Sequence, residues 1–430
     1  VLFRRRHHLQ PHSTWRGLLA LLGPGLVTGA SDDDPSGIAT YSQAGAQFGY
    51  QTSWIMLVTW PLMAAIQEIS ARIGRVTGKG IAANLRDHYP VALLRFIIAL
   101  LLIANFINLG ADLGAMGDAL RLLIGGPAGA YVILFAAFSA VLEIFSSYQR
   151  YVKILKWMTL SLFAYVATAL VVQVPWDEVA YDALVPTLTW QHDYIVLIVA
   201  VLGTTISPYL FFWQASEEAE DERVDPRAHT LVEAPDEARR EIRRIEFDTY
   251  VGMGFSNIIA LFIIITTAAT LHVHGITDIQ TSEQAAQALR PIAGEFAFVV
   301  FALGILGTGL LAVPVLAGSA AYALAEAMQW TSGLDRAPQD AQRFYATIVG
   351  GTLIGVAINF VNIDPMKALF WTAVINGVVA VPLMIVMMLM SMRREVMGAF
   401  TLPRPLWVMG WLSTAAMAFA VVTMFATWSG

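Results

Sequence analysis

Cysteine is absent from the 430 residues. That excludes disulfides, thiolate metal sites and cysteine nucleophiles. Charge is scarce as well: Asp, Glu, Lys and Arg make up 13% of the chain, where a soluble domain carries about a quarter. The eight histidines, His7, His8, His12, His88, His192, His229, His272 and His274, fall in the amino-terminal stretch, in loops or at the ends of apolar runs. A histidine proton relay deep in a membrane is therefore not expected. No GxxxxGK followed by Ser or Thr occurs, which argues against ATP drive, and neither HExxH nor GxSxG is found. The opening VLFRRRHHLQ does not lead into a short apolar stretch with a small-residue cleavage site, so no cleavable signal peptide is expected. No cofactor and no nucleic-acid partner is expected.

What is present is mostly apolar. Hydrophobic residues make up 57% and the mean hydropathy is +0.61, which describes an integral membrane protein with most of its mass in lipid. The formal charge of −6 says little about partners, because distribution matters more than the sum. Eleven segments are long and apolar enough to cross a bilayer: 16–44, 52–74, 91–122, 129–148, 153–174, 194–216, 248–272, 291–328, 344–361, 366–390 and 405–428. The runs are continuous rather than alternating, which favours helices over barrel strands. With the N-terminus inside, every Lys and Arg except Arg121, Arg290 and Lys367 falls on the cytosolic side, as positive residues do. The simplest home is a bacterial inner membrane, with the whole of 1–430 forming a single multi-pass domain in the lipid bilayer.

Residues 217–248, EEAEDERVDPRAHTLVEAPDEARREIRRIEFD, form one highly charged cytosolic loop. Pro235 opens a predicted helix there, and Asp236 can pair with Arg239 and Arg240 one turn on. A solvated cytosolic helix is expected, with a regulatory or partner contact as the other reading.

Two spans are interrupted. The first carries SDDDPSG at 31–37, and the sixth carries GTTISPYLF at 203–211, around Ser207 and Pro208. Each proline removes a backbone donor and clashes with the preceding turn. Irregular backbone at membrane depth is tolerated only where it is buried in protein or lines a wet cavity. The first and sixth spans occupy corresponding places in two five-span halves, about 16–174 and 194–390, with an extra helix at about 405–428. Five spans invert topology, and paired interruptions at such places point to a transporter's binding site. Asp34 is expected to face that site, with backbone carbonyls near Ser31 and Thr204 and the hydroxyls of Ser207 and Tyr209 around it. Asp32 and Asp33 are expected to line the outer vestibule or to cap the half-helix after Pro35.

On these residues the chain resembles the NRAMP superfamily of metal transporters. GPGLVTGASDDDPSG resembles that family's GPG…DPGN signature, and QEISARIGRVTGKGIAANL its Q-x-x-A-R-x-G-x-V-T-G-K-x-L-A. ADLGAMGDAL in the third span and GTTISPYLFFWQAS in the sixth are similar to T-D-L-A-E-x-x-G and G-A-T-x-M-P-H-N-L-Y-L-H-S. The resemblance implies a LeuT-type fold, a five-plus-five inverted repeat with one helix added, alternating access, and a metal site between spans one and six. Asp34 keeps the family's metal-binding aspartate, and Asp112 keeps the aspartate of the third span. Gly37 stands where the family has its asparagine, Ser207 where it has methionine, and Tyr209 where it has a histidine. Gln214 replaces a second histidine and Ala115 a glutamate. In the ninth span the only arginine is Arg343, at its cytosolic mouth.

Losing the thioether at 207 removes the soft donor that favours Mn²⁺ and Fe²⁺. Two other cargoes then fit better. Hydrated Mg²⁺ keeps its waters and needs one or two carboxylates. A chelated, siderophore-type iron complex suits a roomier site, with Phe211, Phe212 and Trp213 following Tyr209 as aromatic faces for planar groups. The chelate is the leading expectation. NRAMP-like transport of Mg²⁺, Mn²⁺ or Fe²⁺ is the alternative, and a membrane-embedded sensor or enzyme is the reading from another class. Asp112 is the candidate coupling residue, for a proton or for sodium. GTGLLAVPVLAGSA in span eight is a stretch that could expose carbonyls to sodium. Glu68 and Glu143 are expected to pair with nearby arginine.

Overall fold

The computed structural model describes residues 28–29, 31–145, 159–224, 229–361 and 364–428. Every regular element among them is helical. The principal helices are α1 (Pro35–Phe48), α2 (Ser53–Thr77), α3 (Ile81–His88), α4 (Val91–Ile124), α5 (Ala128–Phe145), α6 (Phe163–Val171) and α7 (Trp176–Leu184). They continue as α8 (His192–Thr205), α9 (Pro208–Val224), α10 (Ala238–Thr270), α11 (Ala297–Met328), α12 (Gln342–Ile358), α13 (Pro365–Ser391) and α14 (Arg404–Thr427). Among the described residues eight stretches are long and apolar enough to cross a membrane. The opening of the first predicted span and residues 153–158 of the fifth lie outside the described residues, and the ninth span is a helix of 17 residues.

Local chemistry sets the ends. The α2 helix stops at Gly78, whose φ of 63° is left-handed and whose N–H returns to Gly74 O at 2.9 Å. Before α13, Asp364 caps the N–H groups of Met366 and Lys367, and Pro365 takes the first helical position. Large apolar side chains such as Phe96, Ile103, Leu134, Phe138 and Phe425 face outward, where lipid takes the place of a packed neighbour.

The inner helices pack closely: α11 along α4, α8 along α13, α9 against α2, and α10 against α1 and α2. At the α8–α13 crossing the backbones themselves touch. A Cβ on Gly203 would run into the Ala373 carbonyl, and one on Gly377 would stand 2.7 Å from the Val199 carbonyl. Small residues at such a crossing let two spans approach without side chains between them.

Two expectations are corrected here. The span-eight stretch is unbroken helix from Ala297 to Met328, with Pro314 inside it, so it does not unwind to present a row of carbonyls. The charged stretch 217–248 is solvated only in part: Arg239, Arg240 and Arg243 are exposed, but its first turns are not. The α9 helix continues to Val224, and Glu218, Glu220 and Glu222 are buried. Glu218 pairs with Arg244, and Arg75 lies 3.7 Å from both Glu222 and Glu241. Pro235 does open a turn, at Pro235–Glu237, that leads into α10. There Arg240 pairs with Glu241 at 3.1 Å and with Glu237 at 3.8 Å.

Candidate functional site

The two interruptions are real breaks, and each proline determines which carbonyl is left over. In the first span helix runs through Asp32, bends at Asp33 and restarts at Pro35. Pro35 has no N–H for the carbonyl four residues back, which belongs to Ser31. The hydroxyl of Tyr209 donates to that carbonyl at 3.0 Å. In the sixth span α8 ends at Thr205, and α9 starts at Pro208. Pro208 likewise strands the carbonyl of Thr204. The Ser207 hydroxyl lies 2.7 Å from Thr204 O and 2.9 Å from Gly203 O, so its proton is engaged within its own span. Both deficits are thus met by side chains, as the apolar surroundings require. Tyr209 also ties the two broken spans together, and Ser319 on α11 donates to the Tyr209 carbonyl at 2.8 Å.

Asp34 is the cap of α1. Its backbone is extended (φ −66°, ψ 171°), and its Oδ1 accepts from the Ser36 hydroxyl and the Gly37 N–H, both at 2.7 Å. Its Oδ2 accepts from Asn108 Nδ2 at 3.2 Å. Asp32 and Asp33 therefore do not cap, and they do not line an open vestibule, because they are 0% and 2% exposed. Both turn to α10 instead: Ser256 Oγ lies 2.6 Å from Asp32 Oδ2 and 3.0 Å from Asp33 Oδ1. A hydroxyl has one proton to give, so these two carboxylates share a single donor.

Gly37 does not leave a void. A Cβ there would stand 3.3 Å from Thr204 Oγ1, 3.3 Å from Tyr41 Cε2 and 3.4 Å from the Asp32 carbonyl. Phe211, Phe212 and Trp213 are buried in the core, with the Trp213 ring edge-on to Tyr322 at 5.9 Å. The space and the free aromatic faces that a chelate would need are filled by protein. Gln214 Nε2 donates to Thr249 on α10 at 3.1 Å.

From the third span, α4, two side chains one turn apart join the site. Asn108 and Asp112 are both fully buried. Among the described residues neither carboxylate oxygen of Asp112 has a hydrogen-bond partner, nor does Asn108 Oδ1. Asp112 lies within electrostatic range of Asp34. Asn108 went unrecognised in the sequence, although its i, i+4 spacing from Asp112 puts both on one helix face. Among the described residues no group of three or more His, Asp or Glu is placed to hold a metal ion. Any ion at Asp34 would therefore take its ligands from few side chains, backbone and water.

Glu68 pairs with Arg72, as expected, while neither carboxylate oxygen of Glu143 has a hydrogen-bond partner among the described residues. Arg343 stacks over Trp330 at 5.5 Å, at the start of α12.

At the end of the bundle that charge counting assigns to the cytosol, carboxylates tie neighbouring helices together. Glu326 on α11 accepts from Ser216 on α9 at 2.8 Å and from the Ala83 N–H on α3 at 3.1 Å. Glu220 accepts from the Tyr322 hydroxyl and from the backbone of Asp335 at 2.9 Å. These carboxylates fasten the lower half of the sixth span to its neighbours beneath Asp34.

Comparison with known proteins follows the same lines. The profile of the natural resistance-associated macrophage protein-like (Nramp) family matches residues 25–427. A divalent metal cation transporter MntH of Acidiphilium cryptum is 26% identical over 420 residues, covering 95% of this chain and 89% of that protein. One from Deinococcus radiodurans is 28% identical over 407 residues, covering 92% and 87%. A manganese transporter of Eremococcus coleocola superposes with a TM-score of 0.74 at 17% identity, over 98% of this chain and 90% of the other. The nucleobase-cation symporter Mhp1 in a closed conformation superposes with a TM-score of 0.57 at 13% identity, covering 94% and 92%. At those identities the superpositions speak for the fold, which is of the LeuT type.

Proposed function

The chain belongs to the Nramp family, and from that premise we propose that it is a secondary transporter that moves a hard divalent cation, Mn²⁺ or Mg²⁺, by alternating access through the Asp34 site. The observation that carries this reading is a pair of buried carboxylates, Asp34 and Asp112, with no hydrogen-bond partner for Asp112 among the described residues. Buried acids without a cation are costly, and intramembrane acids mark substrate and ion paths. Its likeness to divalent metal and manganese transporters supports a metal cargo. The donor set is oxygen only, from Asp34, Asp112, hydroxyls and backbone, and Ser207 supplies no thioether. Such a set suits a hard ion that keeps several waters. The paired breaks in the first and sixth spans have no role in an enzyme or sensor reading. Chelated iron is not supported, because Gly37 adjoins occupied space and the aromatics after Tyr209 are buried in the core. Coupling, to a proton or to sodium, is assigned to Asp112. By the count of positive residues the N-terminus is inside, in a bacterial inner membrane.

Proteoliposome uptake tests the reading. Mn²⁺ and Mg²⁺ are expected to enter and to compete with each other, while a ferric siderophore chelate neither enters nor competes. Uptake of the chelate, with no uptake of either free ion, would overturn it.

A further inference from the structure

We infer that Asn108 supplies an amide oxygen to the transported ion, and that its carboxamide turns over when the ion arrives. This rests on the assignment of Asp34 to the cargo. The side chain is fully buried. Its Nδ2 sits 3.2 Å from Asp34 Oδ2, the carboxylate oxygen not used for capping. Its Oδ1 has no hydrogen-bond partner among the described residues. A buried carbonyl oxygen left unpaired is costly, and a satisfied alternative is close by.

An NH₂ group pressed against a carboxylate is the nearest thing to a cation that a neutral side chain offers. A divalent ion on Asp34 Oδ2 repels that group, because both carry positive charge. Turning the carboxamide about its Cβ–Cγ bond exchanges Nδ2 for Oδ1 at nearly the same place. The oxygen that lacks a partner then acquires the ion, and the hydrogens leave it. The same residue thus stabilises Asp34 before loading and ligates the ion after it.

The packing explains why an amide should come from the third span. A side chain on Gly37 would crowd Thr204, Tyr41 and the Asp32 backbone. Asn108 meets the other carboxylate oxygen of Asp34, and it lies one turn before Asp112 on α4. An ion held there touches the first span through Asp34 and the third through Asn108. Selectivity would then be tuned by what stands at 108, because the thioether position in the sixth span is a serine with its proton already engaged.

Calorimetry of purified full-length protein with Mn²⁺ and with Mg²⁺ tests this. Asn108→Ala is expected to weaken both ions about ten-fold. Asn108→Asp, isosteric with the native side chain and so a guard against misfolding, is expected to tighten both about ten-fold by adding a charged ligand. Asn108→Met places a thioether at the ion and is expected to raise Mn²⁺ affinity relative to Mg²⁺ about ten-fold, a shift that a merely positioning residue would not produce. An unchanged ratio of the two affinities in Asn108→Met, together with no tightening in Asn108→Asp, overturns the inference. If Asp34→Asn still abolishes binding in that case, the cargo site stands and only the role of Asn108 falls. If the native chain binds neither ion, both fall.

Discussion

Replacing Tyr209 by Phe removes one oxygen atom and separates two roles that the sequence alone leaves merged. If Tyr209 is a direct cargo ligand, its hydroxyl matters only when cargo is present. The structure gives it a task without cargo: it donates at 3.0 Å to Ser31 O, the carbonyl that Pro35 strands. Both residues are buried, at 1% and 0% exposure. Removing one partner so that a buried acceptor is left unpaired costs about 1–3 kcal/mol. At 1.4 kcal/mol per factor of ten, that is roughly a 5- to 150-fold change in an equilibrium constant. The loss falls on the form in which spans one and six are joined. Thermal unfolding of the metal-free protein in detergent, followed by ion titration of the same samples, distinguishes the roles. Tyr209→Phe is expected to lower the metal-free melting midpoint and to change ion affinity by no more than the loss of the joined form explains. An unchanged metal-free midpoint with a ten-fold or larger loss of ion affinity would refute the reasoning and return Tyr209 to the ligand set.

Two further outcomes are expected. Glu326→Ala leaves Ser216 and the Ala83 N–H without their acceptor, so the lower half of the sixth span should open more often. The native absence of cysteine makes a single Ala219→Cys reporter clean, and its thiol-labelling rate should rise about ten-fold, matching roughly 1.4 kcal/mol of lost hydrogen bonding; an unchanged rate would mean that these bonds do not hold the bundle shut. Gly203→Ala drives a methyl into the Ala373 carbonyl, and overpacking of this kind costs about 1–3 kcal/mol. Its melting midpoint should fall clearly below that of Gly350→Ala, where no atom lies within 4 Å, and equal midpoints would show that the α8–α13 crossing yields without strain.

What was legible in the sequence was what acts locally. Pro35 and Pro208 break their helices because a missing N–H and a ring clash need no distant partner. The apolar runs marked most spans, and Asp34 stood out as an acid in one of the breaks. What escaped depends on packing between distant segments. Asp34, rather than Asp32 or Asp33, became the cap, because Ser256 from the seventh span drew the other two away. Tyr209 was singled out by its position, but its bond to a carbonyl 178 residues earlier has no local signature. Asn108 in an apolar helix looks like any interhelical hydrogen bond until Asp34 is placed against it. The charged stretch after the sixth span looked solvated by composition, yet α9 carries Glu218, Glu220 and Glu222 into buried contacts. Deleting side-chain volume at Gly37 suggested room, and Thr204 and Tyr41 take it.

Asp34 bears the central claim, and Asp34→Asn tests it with the least collateral change. An asparagine at that position keeps an oxygen for Ser36 and Gly37 and so preserves the helix cap, while it removes the charge. Titration of Mn²⁺ into the purified protein should give saturable heat for the native chain and none for Asp34→Asn, with the metal-free melting midpoint held. Equal Mn²⁺ affinity in the two proteins would contradict the account.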